Sequence, residues 1–283
     1  MPTATVDLLV PGRYTDHCDV GGKNVVWESI IWRLDSSLKV GEVLRERQYR
    51  EVAVDLRGVR TVLLPGTGSD DHYVRHAFSR PVRAVGGVLV TPPPDPDRLI
   101  DGYLSALDDA ARAGPIGVGG VSIGAAVAAA WALDHPAQVV AVLAALPPWT
   151  GAPGSAPGAL SARYTAARLR ADGLTATTEQ MRASSPPWLA GELTRSWHAQ
   201  WPKLPDAMEE AAAFAAPSCA DLARLAVPLG VVAAVDDPIH PLQVGVDWVS
   251  AAPRAALRTV TLDEIGADTA ALGAACLAAL ALA

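Results

Sequence analysis

Cysteine is scarce in this chain: Cys18, Cys219 and Cys276 are the only three in 283 residues, and they lie far apart. With no C-x-x-C spacing and no histidine pair beside them, they argue against a structural zinc site and against a disulfide scaffold. The expectation is reduced thiols in a cytoplasmic protein. Positive charge is also short, the formal net charge being −7 with a pI near 5.3. There is no basic stripe for nucleic acid or an anionic membrane, so neither partner is expected. The start, Met1-Pro-Thr-Ala-Thr-Val6, has no cationic segment leading into an apolar one, and no uncharged run is long enough to span a bilayer. The apolar tail Ala270 to Ala283 is too short to do so and is expected to be a final core helix. One further absence bears on chemistry: none of the six histidines comes after His240.

What the chain does have is apolar mass. Half of its residues are hydrophobic. That length and composition suit one large α/β domain, with room for a modest insertion.

Ile116-Gly-Val-Gly-Gly-Val-Ser-Ile-Gly-Ala125 organises the rest. An apolar strand breaks into glycines around Ser122 and leaves in a helix of small residues, here expected over Ala125 to Leu133. Gly120-Val-Ser-Ile-Gly124 fits the G-x-S-x-G elbow, in which a serine held in a strained backbone conformation stands clear of the turn. The flanking glycines are required because a side chain there would collide with the neighbouring strand or helix.

Around it, strands and helices alternate. Residues 1–49 form a segment of uncertain role. Glu51 to Leu56 alternates toward a strand, Arg57-Gly58 turns, and Thr61 to Leu64 is a buried strand ending at Pro65-Gly-Thr-Gly68. Ser69-Asp-Asp71 can cap a helix through about Phe78, and Gly87 to Val90 reads as another buried strand. Asp97 to Arg112 has helical spacing, and further strands are expected at Gln138 to Leu143, Leu229 to Val235 and Leu257 to Leu262. Strands that are apolar on both faces imply a mainly parallel sheet covered by helices on both sides.

From 147 to 217 the alternation fails. Prolines and glycines give way to helical stretches at Ala159 to Ala171 and Thr178 to Ala183, with Trp149, Trp188, Trp197 and Trp201 scattered through. This segment is expected to be a small helical lid inserted into a core made of 50–146 and 218–283. Its tryptophans either pack small helices onto the sheet or face a pocket. Trp149, directly after a strand, belongs near the carboxyl edge of the sheet.

The order Leu64-Pro-Gly-Thr-Gly68, Gly120-Val-Ser-Ile-Gly124, lid, Asp236-Asp-Pro-Ile-His-Pro241 resembles the α/β-hydrolase superfamily over roughly Glu51 to Ala283. The resemblance implies Ser122 as nucleophile and an oxyanion hole built from the backbone N–H groups of Ile123 and Thr67. It implies an acid after the strand that follows the lid, with Asp237, four residues ahead of Pro241, favoured over Asp236. It also implies a histidine after the last strand, where this chain has Leu262-Asp-Glu-Ile-Gly-Ala-Asp268, with Ala267 in the expected place.

The base must then come from elsewhere. His135 should end the elbow helix away from the site, near the negative pole of its dipole. His17 and His198 have no evident place. His72 and His76 lie one helical turn apart after the oxyanion loop, without an H-E-x-x-H pattern, and no metal or other cofactor is expected. His240 shares a loop with Asp237, and either reaches Ser122 or only lines the rim of the pocket. Two functions follow from these residues. One is a serine hydrolase acting on a small ester, thioester or amide with an apolar or acyl group, through Ser122, Asp237 and His240. The other is a hydrolase-fold binding or regulatory protein, natural or engineered, without efficient turnover.

Overall fold

The structure, a computed structural model, describes residues 54–283. The segment 1–49 and the first half of the strand expected at Glu51 to Leu56 lie outside the described residues. Val54 to Val59 runs without strand pairing and turns at Arg57-Gly58.

Among the described residues six strands make one sheet in the order β2-β1-β3-β4-β5-β6, and every pairing is parallel. They are β1 (Arg60–Leu64), β2 (Val88–Val90), β3 (Ile116–Val121), β4 (Val139–Ala145), β5 (Leu229–Ala234) and β6 (Ala255–Val260). The interior strands are buried on both faces, as parallel strands under helices must be. β2 departs from the expected buried strand. It is a three-residue strand with Val88 52% exposed, and among the described residues only β1 pairs with it.

The helices are α1 (Asp71–Ala84), α2 (Leu99–Ala111), α3 (Ile123–Asp134), α4 (Pro157–Ser184), α5 (Pro187–Gln200), α6 (Leu204–Ala213), α7 (Cys219–Leu222), α8 (Leu242–Ala251), α9 (Leu262–Ala267) and α10 (Ala270–Leu280). Alternation along each strand divides the core. In β1, Val62 and Leu64 face α2, α3 and α8, while Leu63 faces α1 and α10. α3 is apolar all round and buried, as its Ala-rich sequence requires for a helix against the sheet. The tail forms α10, packed on β4, β5 and β6 as expected. Within it Cys276 is a free thiol, pushed up by burial, whereas Cys219 is disulfide-bonded, contrary to the expectation of three reduced thiols.

Strand order decides where a site can form. β1 continues into α1 on one face, and its neighbour β3 continues into α3 on the other. The two connections therefore part at the carboxyl edge and leave a crevice between them, the usual ligand position in such sheets. Leu64 at the end of β1 pairs with Gly120, two residues before Ser122.

Between β4 and β5 the chain builds α4, α5 and α6. α4 contains both helical stretches expected from the sequence, joined at Gly173, whose φ of 79° breaks the helix and favours glycine. This insertion is tied to the core by polar bonds. Glu210 of α6 accepts from the backbone N–H groups of Leu99 and Ile100, at 2.8 and 3.0 Å, and so caps α2, whose own N-cap Arg98 offers no side-chain bond. Gln200 donates to the Ser69 carbonyl at 2.9 Å, and Arg195 pairs with the buried Asp70 that caps α1.

Candidate active site at the carboxyl edge

Ser122 ends β3 as N-cap of α3, with φ 54° and ψ −119°. A non-glycine residue there stores strain of about 1–3 kcal/mol, held in place by what surrounds it. Part of the cause is packing. A Cβ on Gly120 would sit 2.4 Å from the Leu64 carbonyl oxygen, and one on Gly124 would sit 2.3 Å from the same atom. With both glycines the strand and helix close on β1, and the turn has no freedom left but to hold the serine outward. The Ser122 N–H donates to the Ala145 carbonyl at 2.9 Å, which extends the β3 to β4 ladder through the elbow. Leu146, with φ 51°, is a second strained residue, and both line the same cavity.

Beyond β5 the chain runs Asp236-Asp-Pro-Ile-His-Pro241, and its geometry separates the two carboxylates. Asp236 is exposed and accepts from the Leu262 N–H at 2.9 Å, fixing the start of α9. Asp237 turns inward. Its Oδ1 accepts from the N–H groups of Ile239 (2.8 Å) and His240 (3.3 Å), and its Oδ2 is 2.7 Å from His240 Nδ1. One oxygen thus shapes the loop and the other orients the imidazole. A carboxylate only accepts, so Nδ1 carries the ring proton and Nε2 presents its lone pair. Nε2 is 2.9 Å from Ser122 Oγ.

The Asp237 and His240 side chains are only 9% and 17% exposed. Burial pushes the Asp237 carboxyl up, but the hydrogen bond and charge of His240 and the two backbone N–H groups outweigh it. The net position is below the usual carboxylate range.

Thr67, in the loop after β1, and Ile123, at the start of α3, are the two residues that the resemblance implies as oxyanion donors. Ile123 is the first residue of α3, and helix geometry leaves its N–H without an intrahelical partner. The loop after β1 passes close over the elbow: a Cβ on Gly66 would stand 3.4 Å from the Ser122 Cβ. Thr67 and Ser122 line one cavity of about 490 Å³.

The rest of that cavity comes mostly from the insertion. Trp149 lines it as expected, and Trp188, Trp197, Met181 and Met208 join it, whereas Trp201 is outside and 39% exposed. The indole N–H groups of Trp188 and Trp197 are buried and have no hydrogen-bond partner among the described residues. Tyr73 of α1 also lines the cavity, its ring stacked on Trp188 at 6.3 Å between centroids.

Ala267 does not stand where a base should. The segment after β6 forms α9, closed by a capping box between Thr261 and Glu264, and Ala267 is exposed at its end, away from the cavity lining. His135 ends α3 with Nδ1 2.9 Å from the Trp131 carbonyl and its ring stacked on Trp131, far from this chemistry. His198 lies in α5 outside the cavity lining, and His17 lies outside the described residues.

No protein-family model matches the chain, and no curated protein matches it in sequence. Solved structures do match in fold. A carboxylesterase structure from the thaumarchaeon Nitrososphaera gargenis aligns with TM-score 0.61 and 15% identity over 76% of this chain and 86% of its own. An esterase from Thermogutta terrifontis aligns with TM-score 0.54 and 18% identity over 73% and 81%. An enol-lactonase from Burkholderia xenovorans LB400 gives TM-score 0.55 and 18% identity over 73% and 84%.

Proposed function

We propose, from the α/β-hydrolase fold that this chain has, that the protein is a serine hydrolase of small neutral esters, thioesters or amides with an apolar acyl group. One observation carries the proposal: the unbroken line from Ser122 Oγ through His240 to Asp237, at 2.9 and 2.7 Å. His240 Nε2 takes the Ser122 proton as Oγ attacks the carbonyl carbon. The resulting oxyanion is held by the N–H groups of Ile123 and Thr67. His240 then returns the proton to the leaving alcohol, thiol or amine, giving an acyl-Ser122. In the second half a water molecule gives its proton to His240 and its oxygen to the acyl carbon, and the proton returns to Ser122. Asp237 stays ionised throughout, keeping the imidazole in its tautomer and stabilising the imidazolium.

Support for the substrate class comes from the walls. A cavity of about 490 Å³ with tryptophan, methionine and leucine side chains among its walls suits an apolar group, while Ser161, Thr165, Thr177 and Gln180 add polar points along α4. The helical insertion is then a lid over the acyl site. A hydrolase-fold binding protein is disfavoured, since that alternative rested on the want of a base near Ser122.

The test is steady-state hydrolysis of p-nitrophenyl esters of increasing acyl length. Turnover by the parent, lost in Ser122→Ala, is expected, with preference for short to medium chains. Binding of these esters without turnover would contradict the proposal.

A further inference from the structure

We propose that His72, His76 and Glu192 form a binding site for a divalent transition-metal ion of the zinc class, and that filling it fastens α5 to α1, two helices that line the cavity. The proposal rests on geometry apart from Ser122 chemistry and holds whether or not the protein is a hydrolase. His72 and His76 lie one turn apart on α1, the i, i+4 spacing that puts two imidazoles on one helix face. Their ring centroids are 4.1 Å apart. Glu192 comes from the other side, on α5, with Oε2 3.7 Å from His72 Nδ1. One ligand atom from each of the three residues lies within 4.8 Å of the others. Bonds of about 2.0–2.2 Å to zinc place tetrahedral ligand atoms about 3.4 Å apart, so rotation of exposed side chains closes the remainder.

Donor chemistry selects the ion. Two imidazoles with one carboxylate suit zinc, nickel or copper and give magnesium no advantage, because magnesium prefers an all-oxygen octahedron. Three protein ligands leave the fourth position to water. Glu192 also pairs with Arg195, but Arg195 keeps Asp70 when Glu192 turns to a metal, so no charge is stranded.

Position supplies the consequence. Glu192 lines the cavity, as do Trp188 and Leu193 on the same helix and Tyr73 on α1. A metal bridging α1 and α5 therefore joins two helices that both line the cavity.

The experiment is a thermal-shift and calorimetric titration of the full chain with Zn(II), with Mg(II) as comparison and the Co(II) visible spectrum as a report of nitrogen ligation. Zn(II) should raise the melting temperature of the parent and Mg(II) should not. His72→Ala and His76→Ala should each weaken Zn(II) binding at least about tenfold, since loss of a ligand costs no less than loss of the outer partners that orient it. Glu192→Gln should leave weak binding to the histidine pair but abolish the thermal gain. If either histidine variant fails to fold, His72→Gln and His76→Gln serve in its place. His240→Ala should bind Zn(II) like the parent. The proposal is overturned if Zn(II) does not bind, if binding survives both histidine substitutions, if it disappears in His240→Ala, or if Glu192→Gln keeps the full thermal gain.

Discussion

The segments that follow β5 and β6 both leave the carboxyl edge of the sheet, within one strand of each other, yet only the first brings a carboxylate and an imidazole to Ser122. After β5, Pro238 and Pro241 bracket a turn in which Asp237 accepts from the backbone of Ile239 and His240, and the imidazole lands 2.9 Å from Ser122. After β6, Thr261 and Glu264 close a capping box at once, and a short helix carries Ala267 to the surface. The difference teaches that a base is defined by reach. Under the proposed function, a carboxylate and an imidazole three residues apart reach the elbow from one stiff turn in place of two separate loops. The cost is that one carboxylate must both shape the loop and orient the ring.

Replacing the two members of the first segment should break the comparison most severely. His240→Ala removes the general base, so kcat for an activated ester should fall by about 10²–10⁴-fold. Asp237→Asn should lower kcat by about 10²-fold or more, but no further than His240→Ala, because the carboxylate acts through the imidazole. The double variant should be no worse than His240→Ala alone, as expected for residues that work as one unit. Independent, multiplying losses in the kinetics of the three variants would show that Asp237 and His240 do not act together.

Acid stability sharpens the same contrast. The Asp237 carboxyl sits below its usual range in the folded protein, so its contribution is present above the unfolded value of about 3.9 and is lost as pH falls through the folded one. The gap in urea midpoint between the parent and Asp237→Asn should be steady near neutral pH and shrink below about pH 4. A gap that grows on acidification would reverse the assigned direction.

The smallest effect belongs to the second segment. Ala267→His places an imidazole on the surface, so kcat/KM should change by less than about twofold, the scale of a neutral surface substitution. Added to His240→Ala it should restore nothing. Rescue of the double variant in the same ester assay would mean that α9 unwinds and reaches Ser122.

Much of this was legible in the chain itself. Gly120, Ser122 and Gly124 announce the elbow because their steric demands are local, and apolar strands between helices announce a parallel sheet. Asp237 was favoured over Asp236 through the hydrolase resemblance, which implies an acid four residues ahead of a proline, and Asp237 is the carboxylate that meets His240. What could not be read depends on the third dimension. The inward turn of His240 follows from hydrogen bonds to a carboxylate three residues back, although Asp-Pro-Ile-His-Pro, stiffened by two prolines, is a signal that could have pointed to it. The slot at Ala267 misled because position after a strand says nothing of whether a capping box will wind the segment into a helix. Trp188 and Trp197 as cavity walls, and Glu210 as the cap of α2, rest on packing between segments about a hundred residues apart, and no local pattern carries that.

The central claim is that His240 is the base for Ser122, and labelling of the serine tests it most directly. The parent, His240→Ala, Ala267→His and Ser122→Ala are treated with diethyl p-nitrophenyl phosphate, and adduct formation is followed by intact-protein mass spectrometry. A single adduct should form on the parent and on Ala267→His at matching rates. It should be absent from Ser122→Ala and slowed at least about 10²-fold in His240→Ala, the lower bound for loss of a general base. Labelling of His240→Ala at the parent rate would contradict the account.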